Sequence, residues 1–370
     1  MYMNNIRNLE RNFSLNNKYN MKRGVIIKRK TIKLFKRCVL GILFMILIGL
    51  IFPTWTPRIK GENSISQLDY IEINGTKLAV MIRGYKKDNP IIMVVHGGPC
   101  CSEIPYIRKY QKELEKKFTI IHYDQRGSGK SYHFLEDYSK ISSALLVEDL
   151  VKLSQEISKR FNNKQIILMG HSFGTYLSMQ AIAQSPELYK AYAGIGQVAD
   201  QITGELDNLN YCIEIAKAKH NESDVAYLEG LRNSIARGEI NTPRNYVRKY
   251  GGAARKINET KDMTTGLLFN SEYNLLDTIG YALGVIRFQD ILLENQLKNP
   301  LRKLVEHVEI PVYFIMGQYD HMTSTAAAQE YFNSIVAPQK EFIIYEGAAH
   351  YPQLEEKEKF YNWICDTFAK

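Results

Sequence analysis

Cysteine is scarce in this sequence: five residues in 370, too few and too odd in number for a disulfide framework, so at least one thiol has no intrachain partner. Metal spacing is missing as well. Cys100 and Cys101 are adjacent, while Cys38, Cys212 and Cys365 stand alone, which gives no zinc ligand set. Internal repeats and low-complexity tracts are also absent. An even spread of positive charge is lacking too, although the net charge is +9. Residues 1–37 hold eleven Lys/Arg against one acid, Glu10, and the rest of the chain has 37 basic and 38 acidic residues. The body is nearly neutral, so a nucleic-acid-binding face is excluded. At 45% hydrophobic and 24% charged, the chain is neither disordered, nor collagen-like, nor a multi-span membrane protein.

The basic stretch ends in Lys33–Arg37, and Cys38–Phe52 (CVLGILFMILIGLIF) follows without a charged residue. Fifteen residues rise only about 22 Å as helix, short of the roughly 30 Å hydrocarbon core. Flanking apolar residues out to Trp55, with Lys33, Lys36 and Arg37 snorkelling, bring the stretch close to a span. The leader is too long for a secretory signal, and Phe52–Lys60 offers no small-x-small cleavage site. These features predict a basic cytoplasmic tail over 1–37, one uncleaved transmembrane anchor over 38–55 and a linker over 56–66. The rest of the chain is then expected outside the cell membrane, with the amino terminus cytoplasmic.

Beyond the linker, short apolar runs alternate with helical patterns. Leu68–Ile73 and Lys77–Ile82 flank Asn74-Gly75, a two-residue hairpin signal. Ile91–Val95, Phe118–Tyr123, Gln165–Met169, Ala191–Ile195, Val312–Met316 and Phe342–Tyr345 are apolar on consecutive positions, as strands buried on both faces are. Ser142–Phe161 reads as a helix with Leu146, Leu150, Leu153 and Ile157 on one face, and Gln353–Phe368 as a terminal helix. This alternation predicts an α/β fold with a mostly parallel, doubly wound sheet. Its core spans 67–199 and 309–370. Residues 200–308 carry helical patterns (Glu205–His220, Glu222–Arg237, Asn274–Leu297) and little strand signal, and predict a helical cap.

The chemistry concentrates at Gly170-His171-Ser172-Phe173-Gly174, between the strand Gln165–Met169 and the helical run Thr175–Ala183. Gly-x-Ser-x-Gly in a strand–turn–helix context makes a sharp turn that exposes the Ser172 hydroxyl above a helix N-terminus. A serine hydroxyl needs a base, and the base an orienting group. Asp320 lies just beyond Val312–Met316, and His350 follows the next strand through Glu346-Gly347-Ala348-Ala349. Both sit at strand carboxyl ends, where groups far apart in sequence converge. His321 is a rival base, and His171 is expected to pack locally. In His96-Gly97-Gly98-Pro99-Cys100, Pro99 has no N–H, so Gly98 and Phe173 are the expected oxyanion donors, with His96 bracing the loop. Asp124-Gln125-Arg126-Gly127-Ser128-Gly129 lacks phosphate-loop spacing and reads as a structural turn in which Asp124 pairs with Arg126.

Taken together, HGGPC at His96, DQRGSG at Asp124, GHSFG around Ser172, the Asp320/His350 tail and the helical insertion resemble the α/β-hydrolase superfamily, and within it the proline iminopeptidase (prolyl aminopeptidase) branch. The resemblance runs from about Leu68 to Lys370. It implies an α/β-hydrolase fold with Ser172 as nucleophile, Asp320 as orienting acid, His350 as general acid/base, and Gly98 and Phe173 as oxyanion donors. No metal or organic cofactor is implied. The family holds the free amino terminus of a peptide with cap carboxylates, for which Glu205, Asp207 and Glu214 are candidates by position. Two departures stand out: Cys100 where the loop commonly has glycine, and His171 and Phe173 around the serine where the branch commonly has GGSWG. The expected activity is a membrane-anchored serine hydrolase releasing N-terminal residues from short peptides. The alternatives are a carboxylester hydrolase acting on a small molecule, and a catalytically silent binding protein of the same fold.

Overall fold

A computed structural model describes residue 3, residues 33–50 and residues 52–369. The chain forms two compact units, Met1–Phe52 and Pro53–Lys370. In the first, residues 33–50 form helix α1, whose side chains are exposed through residue 47. The other residues of the expected tail, apart from residue 3, lie outside the described residues. Of the residues expected as an anchor over 38–55, 38–50 are helical and 52–55 are not. Pro53 and Pro57 bring no N–H to continue a helix, and the chain here is tied down elsewhere. The Trp55 N–H donates to Ser271 O (2.8 Å), and the Thr56 hydroxyl donates to Glu272 Oε1 (3.0 Å). Arg83 donates to Thr56 Oγ1 (2.7 Å) and Pro57 O (2.6 Å). Among the described residues, no helix is long and apolar enough to cross a membrane.

The second unit begins with strands β1 (Ile65–Ile73) and β2 (Thr76–Gly84), joined by Asn74 and Gly75, both at positive φ as a two-residue hairpin turn requires. Then follow β3 (Ile91–Val95), α2 (Ile104–Gln111), β4 (Thr119–Tyr123), α3 (Ser143–Arg160), β5 (Ile166–His171), α4 (Phe173–Gln184) and β6 (Tyr189–Ile195). The insertion carries α5 (Gln201–Ala218), α6 (Glu222–Ala236), α7 (Arg244–Lys249), α8 (Glu259–Leu268), α9 (Leu275–Lys298) and α10 (Leu301–Leu304). The chain closes with β7 (Val312–Gly317), α11 (Thr325–Ser334), β8 (Lys340–Tyr345), α12 (Pro352–Glu355) and α13 (Lys357–Phe368).

The eight strands form one sheet in the order β1-β2-β4-β3-β5-β6-β7-β8. β1–β2 and β2–β4 pair antiparallel, and every pair from β4 onward is parallel. Successive side chains of β3 and β5 enter opposite cores, which is why these strands read as unbroken apolar runs. Ile91, Met93, Val95, Ile166 and Leu168 join the core beneath α3 and α4. Ile92, Val94, Ile167 and Met169 join the one under α13. The fold class expected from the sequence is therefore present, as an α/β-hydrolase fold.

The insertion is not uniform. Leu209, Cys212, Ile213, Leu228, Ile235 and Val247 of α5–α7 make a small core of their own, whereas Phe288 and Leu292 of α9 belong to the main core. The terminal helix is also interrupted, at Glu356 (φ −123°, ψ 49°). The break lets the buried Glu355 carboxylate turn back and accept from the N–H groups of Ala349, Arg255 and Lys256 (2.9, 2.7 and 2.9 Å).

Arg126 does not pair with Asp124. Its guanidinium grips Asp149 through Nε and Nη2 (2.7 and 2.9 Å) and Glu136 through Nη1 (2.9 Å), and it donates to Asn74 O (3.1 Å). It therefore locks the β1–β2 turn to α3. Removing one member of a buried ion pair strands the other charge. Arg126→Met is expected to lower the unfolding free energy by about 3–5 kcal/mol, read as a reduced urea midpoint.

Candidate active site

Strand β5 ends at His171, and α4 starts at Phe173, so Ser172 alone makes the turn. It adopts φ 54° and ψ −126°, a conformation costly for a residue with a side chain. Its N–H donates to Ile195 O (2.9 Å), which pins the turn to β6. From the other side Gly97 presses on it: a Cβ added there would lie 2.7 Å from Ser172 Cβ. The Ser172 side chain is only partly buried and faces a cavity of about 270 Å³ shared with Gly97, Gly98, Phe173 and His350. Its hydroxyl has no hydrogen-bond partner among the described residues.

Asp320 and His350 meet as expected. His350 Nδ1 and Asp320 Oδ2 are 2.9 Å apart, and both side chains are buried. The other Asp320 oxygen accepts from the N–H groups of Met322 and Thr323 (2.9 and 3.1 Å), and the Thr323 hydroxyl donates to Oδ2 (3.0 Å). Burial pushes the Asp320 carboxyl up, but the His350 charge and these donors outweigh it and hold the group below its ordinary range. Burial lowers His350, and Asp320 only partly opposes it, so the imidazole titrates below its usual value. With Nδ1–H on the carboxylate, Nε2 is the nitrogen left to take a proton.

Two supports for this pair were not legible beforehand. Gly196, just past β6, backs onto it: a Cβ there would lie 2.8 Å from His350 Cε1 and Nδ1. Glu355 holds the loop before His350, as described above, and the His350 N–H donates to Ala253 O (3.0 Å). A glycine directly after an apolar strand was the only available signal for the first. Nothing local marked Glu355.

The His96 loop follows β3. Gly98 and Phe173 both line the cavity, and neither N–H has a partner among the described residues. His96 Nε2 accepts from the Gln125 N–H (3.1 Å), and Gln125 Nε2 donates to His96 O (2.7 Å). His96 is thus a neutral brace, lowered by burial to about 4. Cys100 takes φ 64°, the left-handed region where a glycine would carry less strain. Asp124 accepts from Tyr273 Oη (2.5 Å) and the Lys130 N–H (2.7 Å), and burial raises it to about 6.

His321 is not placed as a base. It stacks on Tyr211 (ring centroids 3.8 Å apart), with Nδ1 3.5 Å from Asp207. Of the three cap carboxylates, only Glu205 reaches the cavity, and it is fully engaged. It accepts from Gln201 Nε2 (3.0 Å) and the Thr242 N–H (2.8 Å), and forms a two-point ion pair with Arg244. Asp207 is not on the cavity; it accepts from Ser324 Oγ (2.7 Å) and ties α5 to the start of α11. Glu214 is exposed and lies apart from the cavity. Asp200 and Glu259 line the cavity but were not singled out in the sequence. Asn208 is buried there, with neither amide atom hydrogen-bonded.

Ser172 at the strand–helix turn, the buried His350–Asp320 pair and the Gly98 and Phe173 N–H groups thus gather at one end of the sheet. Residues 90–357 match the family model for the α/β hydrolase fold, and the chain belongs to that family. It is 28% identical over 317 residues to the probable aminopeptidase YbaC of Bacillus subtilis, covering 83% of this chain and 97% of that protein. A proline iminopeptidase of Saccharolobus solfataricus is 21% identical over 314 residues, covering 82% and 93%. Among solved structures, proline iminopeptidase of Mycobacterium smegmatis superposes with a TM-score of 0.60 at 16% identity, over 82% of this chain and 97% of that one.

Gly196→Ala is expected to push the His350 ring off Asp320. Any reaction using His350 as base should then slow by about a hundredfold, measured as the rate of fluorophosphonate labelling at Ser172, with circular dichroism unchanged.

Proposed function

We propose that this chain is a serine hydrolase that forms an acyl-enzyme at Ser172, and that it is an aminopeptidase of proline iminopeptidase type, releasing N-terminal residues from short peptides. The observation that carries this reading is the 2.9 Å contact between buried Asp320 and His350, whose ring lines the cavity that holds Ser172. His350 Nε2 takes the Ser172 proton as the hydroxyl attacks the carbonyl. The Gly98 and Phe173 N–H groups receive the oxyanion, and the protonated His350 then gives its proton to the leaving amine. Water enters, His350 activates it, and the acyl group leaves. The names of the relatives support the peptide substrate.

One observation favours the second reading, a carboxylester hydrolase. Glu205 is already engaged by Arg244, so none of the three cap carboxylates expected from the sequence stands open to receive a substrate's amino group.

We also propose that α1 attaches the chain to the cell membrane, with the amino terminus in the cytoplasm and the catalytic unit outside. Leu40, Ile42, Leu43, Phe44 and Met45 are each more than half exposed, beside the basic Lys33, Lys36 and Arg37, and such a surface calls for an apolar partner. Resistance to carbonate extraction is expected, with the catalytic unit open to external protease in intact cells. Release by carbonate would remove the anchor.

Proline and alanine anilides assayed beside short-chain nitrophenyl esters separate the two hydrolase readings; ester turnover alone would end the aminopeptidase reading. Ser172→Ala should abolish turnover and fluorophosphonate labelling with folding unchanged. His350→Ala should cost comparably, since such groups act as a unit. No Ser172-dependent labelling of folded wild-type protein would favour a silent binding protein. Because the base must be neutral and His350 titrates low, the acidic limb of kcat/KM should lie below the ordinary imidazole value of about 6.5.

A further inference from the structure

On the same cavity as Ser172 and His350 lies a second imidazole–carboxylate contact that the reaction above does not use. His171 Nδ1 is 2.9 Å from Glu103 Oε1, and His171 Nε2 is 3.1 Å from the main-chain oxygen of His350. Both side chains are buried. The His171 ring lies 4.9 Å from the His350 ring, and Tyr351 packs on both, at 5.1 and 5.2 Å. We propose that Glu103 and His171 are a positioning pair, an imidazolium held on a buried carboxylate, which acts on His350 by keeping its ring uncharged until substrate arrives. This inference rests on His350 being the general base.

The hydrogen bonds argue for the charge. A backbone carbonyl can only accept, so His171 Nε2 carries a hydrogen; a carboxylate on Nδ1 then requires the second one. The other histidines near Glu103 do not compete. His96 accepts from the Gln125 N–H as described, and His122 Nε2 is occupied by Gln111 Oε1 (2.7 Å), with its Nδ1 4.0 Å from Glu103 Oε2. Burial lowers both to about 4. Burial also works against the charged pair itself, but Glu103 raises His171, and His171 holds Glu103 below its ordinary range. The groups that face His350 are Asp320, which favours its cation, and His171 and Arg244, which oppose it. Neutralising His171 therefore makes His350 easier to protonate.

Glu103→Gln and His171→Gln in the full chain test this, with kcat/KM followed from pH 4.5 to 9 on whichever substrate the wild type turns over. The acidic limb is expected to move up by roughly half a pH unit or more, from the loss of a charge about 5 Å away in partly screened surroundings. The rate at pH 9, where His350 is neutral in every form, should stay within about threefold of wild type. In ¹⁵N spectra of wild type at pH 7, both His171 nitrogens should be protonated, and one should lose its proton in Glu103→Gln. An unmoved limb in both variants, a loss of equal size at all pH values, or a neutral His171 in wild type would overturn the proposal. A wild type with neither turnover nor Ser172 labelling would instead remove the general-base reading, and the ¹⁵N spectra would still decide the charge of the pair.

Discussion

The hydrogen bond between His350 and Asp320 is the interaction on which the geometry around it depends. A carboxylate with no solvent exposure persists only with its lone pairs answered, and Asp320 has the imidazole, two backbone N–H groups and a hydroxyl to answer them. Those donors come from residues immediately after β7, so the loop must fold tightly around its own aspartate. His350 must then arrive from the neighbouring strand at one height. Gly196 sets that height from below, and Glu355 from the side. The break in the carboxyl-terminal helix follows from this need.

Ser172 is held in place by a separate set of contacts. Its turn is held by a bond to β6 and by the bare face of Gly97, so its strain is sustained by neighbours on two sides. The local sequence pattern is one half of that arrangement, and the parallel sheet that aligns β3, β5, β6, β7 and β8 is the other.

Much of this was legible in the chain. Doubly buried strands announce themselves as apolar runs, so each run singled out in the sequence lies in a strand within a few residues. The places of Ser172, Asp320 and His350 beyond strand ends were read from the sequence as well. What was not legible depended on partners. Arg126 binds Asp149, 23 positions away, rather than its near neighbour Asp124, because α3 brings a second carboxylate into its reach. Glu205 looked like a free cap acid, but Arg244, 39 positions on, occupies both its oxygens. Glu103 carries no motif, and its role emerges only when β5 lays His171 against it.

The stretch from Thr54 to Thr56 ties the start of the second unit to distant parts of it. Lys130 Nζ donates to Thr54 Oγ1 (2.9 Å) and to Asp277 (2.6 Å), while Trp55 and Thr56 hold Ser271 and Glu272. Tension applied along the chain from its amino end would thus be delivered to the corner between α8 and α9 rather than to the edge strand β1. That corner, together with β2 through Arg83, would feel any tether first. A cut on the far side of Pro53 would spare this clasp, whereas one past Thr56 would leave Arg83 and Glu272 each short of a neutral ligand.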